Sequence, residues 1–254
     1  MCLILFAHRV HPIYPLIVAA NRDEFYNRPT KEAHFWDDHP DILAGRDLKQ
    51  MGTWMGVTTT GRFAALTNYR ELVELDINKQ SRGEIVSNFL AGSDCSSHYL
   101  QTLAKKKEQY EGFNIIVGDR NELWYYSNRT NEPIKLEPGI YGLGNSLINT
   151  PWPKVVIGKQ LFQNAISERM VDQEQLFEAL ANVEQPTDNL LPNTGVGEEW
   201  ERKLAPLFIK TENYGTRAST VLTVSNDGNV IFTERTFKKE TSFEKKFEFQ
   251  IKKK

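Results

Sequence analysis

Residues 2–7 read Cys-Leu-Ile-Leu-Phe-Ala, so this chain commits an apolar strand to its interior almost from its first residue. A second apolar run, Leu16 to Ala20, follows a turn centred on His11-Pro12. Both runs are continuously apolar rather than alternating, which requires cover on both faces. The two read as a hairpin buried between layers. A hairpin also returns the end of its second strand to the start of its first. The polar cluster Asn21-Arg22-Asp23-Glu24 therefore comes back beside Cys2.

Cys2 sits directly behind the initiator methionine. A side chain this small lets methionine aminopeptidase remove Met1, leaving a thiol and a free α-amine on one residue. The amine titrates near pH ~8 and the thiol near ~8.5, so the residue carries a nucleophile and its own base. The plainer reading is a small apolar residue that opens a buried strand. A reactive cysteine needs an electropositive, partly exposed setting, so the charges of the 21–24 cluster bear on the choice. An acid there anchors an α-ammonium, and an arginine favours the thiolate. The plainer reading of that cluster is a solvated turn with a salt bridge.

Along the rest of the chain, residues 21–48 are rich in charge, proline and aromatics and read as a long loop of functional type. Residues 53–58 and 62–68 read as a second hairpin turning at Thr60-Gly61. Ser81-Arg82-Gly83-Glu84 has the form of a capping box, followed by Ile85, Val86, Phe89 and Leu90 at helical spacing. A second helix is predicted over 97–110, then strands over 113–117, 123–127 and 141–145. Helices start again at Pro153 and after Asp172, and a loop covers 185–197. Strands over 220–224, 230–236 and 243–251 complete the order. Segregated blocks of this kind predict an α+β fold with helices layered on antiparallel sheets, in one domain over 1–254.

The net charge of -2 argues against a nucleic-acid partner, and no apolar stretch has the length of a membrane span. Two cysteines make no disulfide framework and fit a reducing, cytoplasmic setting. The five histidines show no metal-ligand spacing, so no metal is expected. Cys95 follows Asp94, which is expected to raise its pKa and leave Cys2 the more reactive thiol.

The Asn-Arg-Asp-Glu tetrapeptide at 21–24 after an initial Met-Cys resembles the signature of the NRDE family, also called the transport and Golgi organisation 2 family. Ala44-Gly45-Arg46-Asp47, Gly52-Thr53-Trp54-Met55-Gly56, Leu66-Thr67-Asn68-Tyr69-Arg70, Gly142-Leu143-Gly144-Asn145, Thr150-Pro151-Trp152-Pro153-Lys154 and Tyr214-Gly215-Thr216-Arg217 extend the resemblance over nearly the whole chain. That family in turn resembles N-terminal nucleophile hydrolases of the penicillin V acylase and bile-salt hydrolase type. The resemblance implies a four-layer αββα sandwich. It also implies a catalytic set of Cys2, Arg22, Asp23, Asn68, Asn145 and Arg217, in that order.

Those hydrolases separate the arginine and aspartate, whereas Arg22 and Asp23 are adjacent here. Adjacent side chains on a strand point to opposite faces, which predicts Asn21 and Asp23 facing Cys2 and Arg22 turned away. The implied chemistry is acyl transfer on a small amide or thioester. Asn68 and Asn145 would serve the oxyanion, and Arg217 the thiolate or a substrate carboxylate. Asn21, Trp54, Tyr69 and Arg70 are the candidate substrate-lining residues. The resemblance carries a second class as well, a carrier of haem or of acyl-CoA and lipid. Haem would then be the ligand, with Cys2 or His8 the first axial candidate.

Overall fold

The computed structural model describes residues 2–72, 76, 78–238 and 241–252. In chain order its elements are strands β1 (Cys2–His8), β2 (Leu16–Phe25), β3 (Thr30–Phe35), β4 (Ile42–Asp47), β5 (Met55–Thr58) and β6 (Phe63–Asn68), then helices α1 (Arg82–Ala91) and α2 (Ser96–Ala104). Strands β7 (Phe113–Gly118), β8 (Leu123–Ser127), β9 (Ile134–Leu136) and β10 (Gly139–Leu143) follow. Helices α3 (Pro153–Ala165), α4 (Gln173–Leu180) and α5 (Glu198–Lys203) precede β11 (Tyr214–Val224), β12 (Asn229–Lys238) and β13 (Thr241–Gln250).

The strands form two antiparallel sheets, ordered β10-β1-β2-β11-β12-β13 and β3-β4-β5-β6-β7-β8-β9. The apolar hairpin lies inside the first sheet, and its continuous apolar character has a direct cause. Ile4, Phe6, Val18 and Ala20 point between the sheets, where they meet Leu43, Val57, Phe63 and Ile116. Leu3, Leu5, Ile17 and Ala19 point the other way and lie under Phe162, Leu176 and Leu180 of α3 and α4. Each fully buried Leu or Phe contributes roughly 1.5–3 kcal/mol, so both faces help fix the strand. On the far side, Ile85, Val86, Phe89 and Leu100 of α1 and α2 cover Ala44, Ala64 and Ile115 of the second sheet. The layers are thus α, β, β, α. Gly56 marks how closely α1 approaches: a Cβ there would lie 2.8 Å from both Ala44 and Leu90.

Residues 21–48 are not one loop. β2 continues to Phe25, and β3 and β4 follow as strands. The polar residues at the end of β2 are buried because β11 pairs along that whole length. β3 is an edge strand with only Ala33 buried, so its charged residues face water and mask the alternation. Phe35 of β3 meets Phe247 and Phe249 of β13 edge-on at 5.9 and 5.8 Å, tying the edges of the two sheets together. The helix expected to reach residue 110 ends at Ala104, with a short 3-10 turn at Lys107–Gln109. Ser81 does cap α1 by position, but its side chain makes no capping bond. Glu84 instead accepts from the Tyr110 hydroxyl at 2.7 Å.

Candidate active site

The register of β1 on β2 sets the geometry of the site. Cys2 lies directly opposite Arg22, and Leu3 opposite Asn21. Directly opposed residues share a face, so Arg22 stands on the Cys2 face and Asn21 on the helix-covered face. The expectation that Arg22 turns away and Asn21 faces Cys2 is therefore reversed. Asn21 is fully occupied elsewhere. Its Nδ2 donates to the Leu180 and Leu207 carbonyls, both at 2.9 Å, and its Oδ1 accepts from Ser219 at 2.6 Å.

Asp23 reaches Cys2 from the strand end. β11 carries one extra residue at Arg217, a bulge between the pairs Thr216–Asp23 and Ala218–Arg22. The Asp23 main chain hydrogen-bonds the Cys2 thiol. The carboxylate accepts from the Thr216 hydroxyl at 2.7 Å, and the Tyr214 hydroxyl donates to the Asp23 carbonyl at 3.1 Å. Burial pushes the Asp23 carboxyl up, against the pull of nearby Lys154 and Arg22.

Cys2 is partly buried and opens onto a cleft of about 280 Å³, bordered by Arg22, Asp23, Trp54, Asn68 and Arg82 among others. The Arg22 guanidinium stacks 4.1 Å from the Trp54 ring. Asn68, the last residue of β6, borders the same cleft, and its carbonyl accepts from Asn145 Nδ2 at 3.0 Å. Burial pushes the Cys2 thiol up, and Asp23 adds to that, while the Asp23 main-chain bond and Arg22 pull it down. The resting sulfur is a thiol that needs a base. Met1, whose removal would expose that base, lies outside the described residues.

The remaining predicted residues lie off the cleft. Asn145 is wholly buried. Its Oδ1 accepts from Lys154 Nζ at 3.2 Å and its carbonyl accepts from the Arg70 N–H at 2.6 Å, so it supports Asn68 from behind. Arg70 is held by Glu201 in a buried ion pair at 2.6 Å, with its guanidinium 4.9 Å from the Trp152 ring. Glu201 also accepts from the Thr194 N–H and hydroxyl at 2.8 and 2.6 Å. Tyr69 donates its N–H to Gly112 at 2.9 Å. Arg217 donates to the Phe25 and Arg28 carbonyls at 3.0 and 2.8 Å. It borders a separate small pocket that contains Glu234 and shares the Arg22 and Trp54 wall with the Cys2 cleft.

Sequence reasoning missed Lys154. It lies in the first turn of α3, is 3% exposed, and has its pKa lowered to about 8 by burial and by Arg70. Asp23, Cys2 and Glu201 oppose that shift, which puts the lysine within electrostatic reach of Cys2. Its only sequence signal was membership of the Thr150–Lys154 stretch, since a lone lysine ordinarily reads as solvated. The expectation for Cys95 is also reversed. That thiol is exposed, and the Ser97 hydroxyl and the His98 main chain lower its pKa. Among the described residues no group of three or more His, Cys, Asp or Glu side chains is placed to hold a metal ion.

The profile of the family described as Transport and Golgi organisation 2 matches residues 1–239. The chain belongs to this family. Among members of the Transport and Golgi organisation 2 family, the homologue from Bos taurus is 41% identical over 92% of both chains. The Homo sapiens homologue is 39% identical over the same shares. The Drosophila melanogaster protein is 30% identical over 93% of this chain and 92% of its own. Among solved structures, the Caenorhabditis elegans orthologue of N-acylethanolamine-hydrolyzing acid amidase superposes with a TM-score of 0.52 at 13% identity. That match covers 87% of this chain and 92% of that one. A mutant of the conjugated bile acid hydrolase from Clostridium perfringens gives 0.51 at 8% identity, covering 98% and 97%. At these identities the two structures establish the shared fold. No helix among the described residues is long and apolar enough to cross a membrane.

Proposed function

We propose that this chain is a cysteine amidohydrolase or thioesterase that acts on a small acylated substrate through Cys2. The observation that carries the reading is the convergence of Cys2, Arg22, Asp23 and Asn68 on one cleft from three different strands. The names of two proteins that share the fold, an amidase and a bile acid hydrolase, support the reaction class.

Loss of Met1 leaves the α-amine on Cys2. The amine takes the thiol proton, and Sγ attacks the substrate carbonyl to form a C–S bond. Asn68 donates to the oxyanion of the tetrahedral intermediate. Asp23 holds the resulting α-ammonium beside the reacting centre. Collapse breaks the C–N or C–S bond of the substrate, and the ammonium returns its proton to the leaving group. Water, deprotonated by the same amine, attacks the acyl-enzyme, releases the acid and restores the thiol.

The test is turnover of N-acyl amides and acyl thioesters by protein shown by intact mass to lack Met1. Cleavage that disappears in Cys2→Ala and passes through an acyl adduct on Cys2 supports the mechanism. Cleavage that survives Cys2→Ala ends it. Saturable ligand binding with no cleavage of either substrate class would leave a carrier on the same fold.

A further inference from the structure

The charge around the cleft is unevenly satisfied. Of the carboxylates that border it, Asp47 has a cationic partner and Glu24, Asp76 and Glu111 accept main-chain N–H groups. Asp47 pairs with Arg28 at 2.6 Å, Glu24 accepts from the Phe25 N–H at 2.9 Å, and Asp76 accepts from Asn78 at 2.9 Å. Glu111 accepts from the Asp76 N–H at 3.2 Å. Two guanidiniums are in a different position. Arg22 is only 6% exposed, lies opposite Cys2, and its Nη1 has no hydrogen-bond partner among the described residues. Arg82 donates Nη1 to the Gly112 carbonyl at 3.0 Å and, among the described residues, forms no ion pair. It is within electrostatic reach of Cys2, Glu111 and Glu24.

The first turn of α1 borders the same space through Ser81, Arg82 and Gly83. A helix start carries partial positive charge and favours an anion in front of it. The loop before β5 is pressed onto this turn: a Cβ on Gly52 would strike the Gly83 main chain, and the Thr53 N–H donates to the Gly83 carbonyl at 3.2 Å. Stacking on Trp54 fixes the plane of the Arg22 guanidinium, whose buried Nη1 belongs to the wall that the cleft shares with the small Glu234 pocket. A buried arginine with an unused donor, a second arginine and a helix start border one cleft.

We propose that the Cys2 cleft contains an anion-binding subsite made by Arg22, Arg82 and the first turn of α1, and that the substrate presents a carboxylate or a phosphate there. The inference rests on the reading of Cys2 as the acyl acceptor, but it can be tested without turnover. Iodoacetate and iodoacetamide alkylate the same thiolate and differ in charge. The ratio of their rate constants therefore cancels the thiolate fraction and reports only how the site treats an anion.

The measurement is that ratio at Cys2, read by peptide mass on protein lacking Met1. It is divided by the same ratio for N-acetylcysteine amide, a thiol with no neighbouring charge. The expected value is on the order of tenfold, as for one charge-assisted contact. It should fall several-fold in Arg22→Gln and in Arg82→Gln. A value of one or less in the unsubstituted protein overturns the proposal. Protection of Cys2 by inorganic phosphate but not acetate assigns a phosphate, and the reverse assigns a carboxylate. Should Cys2 resist both reagents, calorimetric titration with each anion decides. Saturable heat that is lost in Arg22→Gln supports the subsite, and no heat with either overturns it. A raised ratio with no hydrolysis of any acyl substrate keeps the subsite and removes the hydrolase. Hydrolysis of neutral amides with a ratio of one does the opposite.

Discussion

The two cysteines sit in opposite circumstances. Cys95, just ahead of α2, is exposed and more acidic than an ordinary thiol, with only Ser97 and a main-chain group in support. Cys2 is partly buried, and burial makes it less acidic, yet Arg22, Asp23 and Asn68 gather at its cleft. Acidity and placement at the cleft are therefore separate properties in this molecule. The thiolate population favours Cys95, while the groups that the proposed mechanism uses lie beside Cys2. The proposed acyl transfer would follow the second set, because stabilisation of a transition state depends on groups held in place before charge develops.

That contrast can be broken most sharply by exchanging the thiols for alanine. Cys2→Ala should reduce turnover of a cleaved N-acyl amide or thioester by on the order of 10⁴-fold or more, and Cys95→Ala should leave it unchanged. Equal losses in a steady-state assay would abolish the distinction. Asn68→Ala comes next, with a loss on the order of 10²- to 10³-fold in kcat and little change in KM. A loss confined to KM would make Asn68 a ground-state contact instead.

Lys154 gives a smaller effect with a definite sign. Its folded pKa of about 8 lies below the value of a free lysine, 10.5. Between those two values the unfolded chain holds a proton that the folded chain has released, so folding stability rises with pH across that window and is penalised below it. Chemical denaturation of Lys154→Met should show a flatter rise over the same window, by up to about 3 kcal/mol. A parallel profile would mean that the lysine is charged and well solvated. The smallest effect concerns labelling alone. With neutral iodoacetamide near pH 7, Cys95 should react a few-fold faster than Cys2, and peptide mass reads both. Faster reaction at Cys2 would show that its freed amine outweighs burial.

Much of this was legible in the chain. The apolar runs at 2–7 and 16–20 specify a doubly covered hairpin, and that hairpin alone brings Cys2 and residues 21–24 together. The hairpin ending at Asn68 was equally clear, because two short runs flank its Thr60-Gly61 turn. What could not be read is whatever depends on register or on a distant partner. Which of Arg22 and Asn21 faces Cys2 turns on a single step of strand pairing. Arg70 reads as a free cation until α5 supplies Glu201, and Asn145 reads as an oxyanion donor until the Asn68 carbonyl takes its Nδ2. Arg217 points away from the cleft because a bulge, invisible in composition, falls at that residue. β3 and β4 were hidden by the charge that an edge strand carries on its wet face.

The Arg70–Glu201 pair has a consequence beyond the ion pair itself. Through Thr194, the same carboxylate fastens the far end of the long surface segment that follows α4. Near its start, the Phe208 N–H donates to the Asn182 carbonyl at 2.9 Å. The stretch between those two anchors can change length or composition with a small cost in loop-closure entropy and no displacement of Cys2. It is the natural place to graft a peptide or a fluorescent reporter while leaving the chemistry intact.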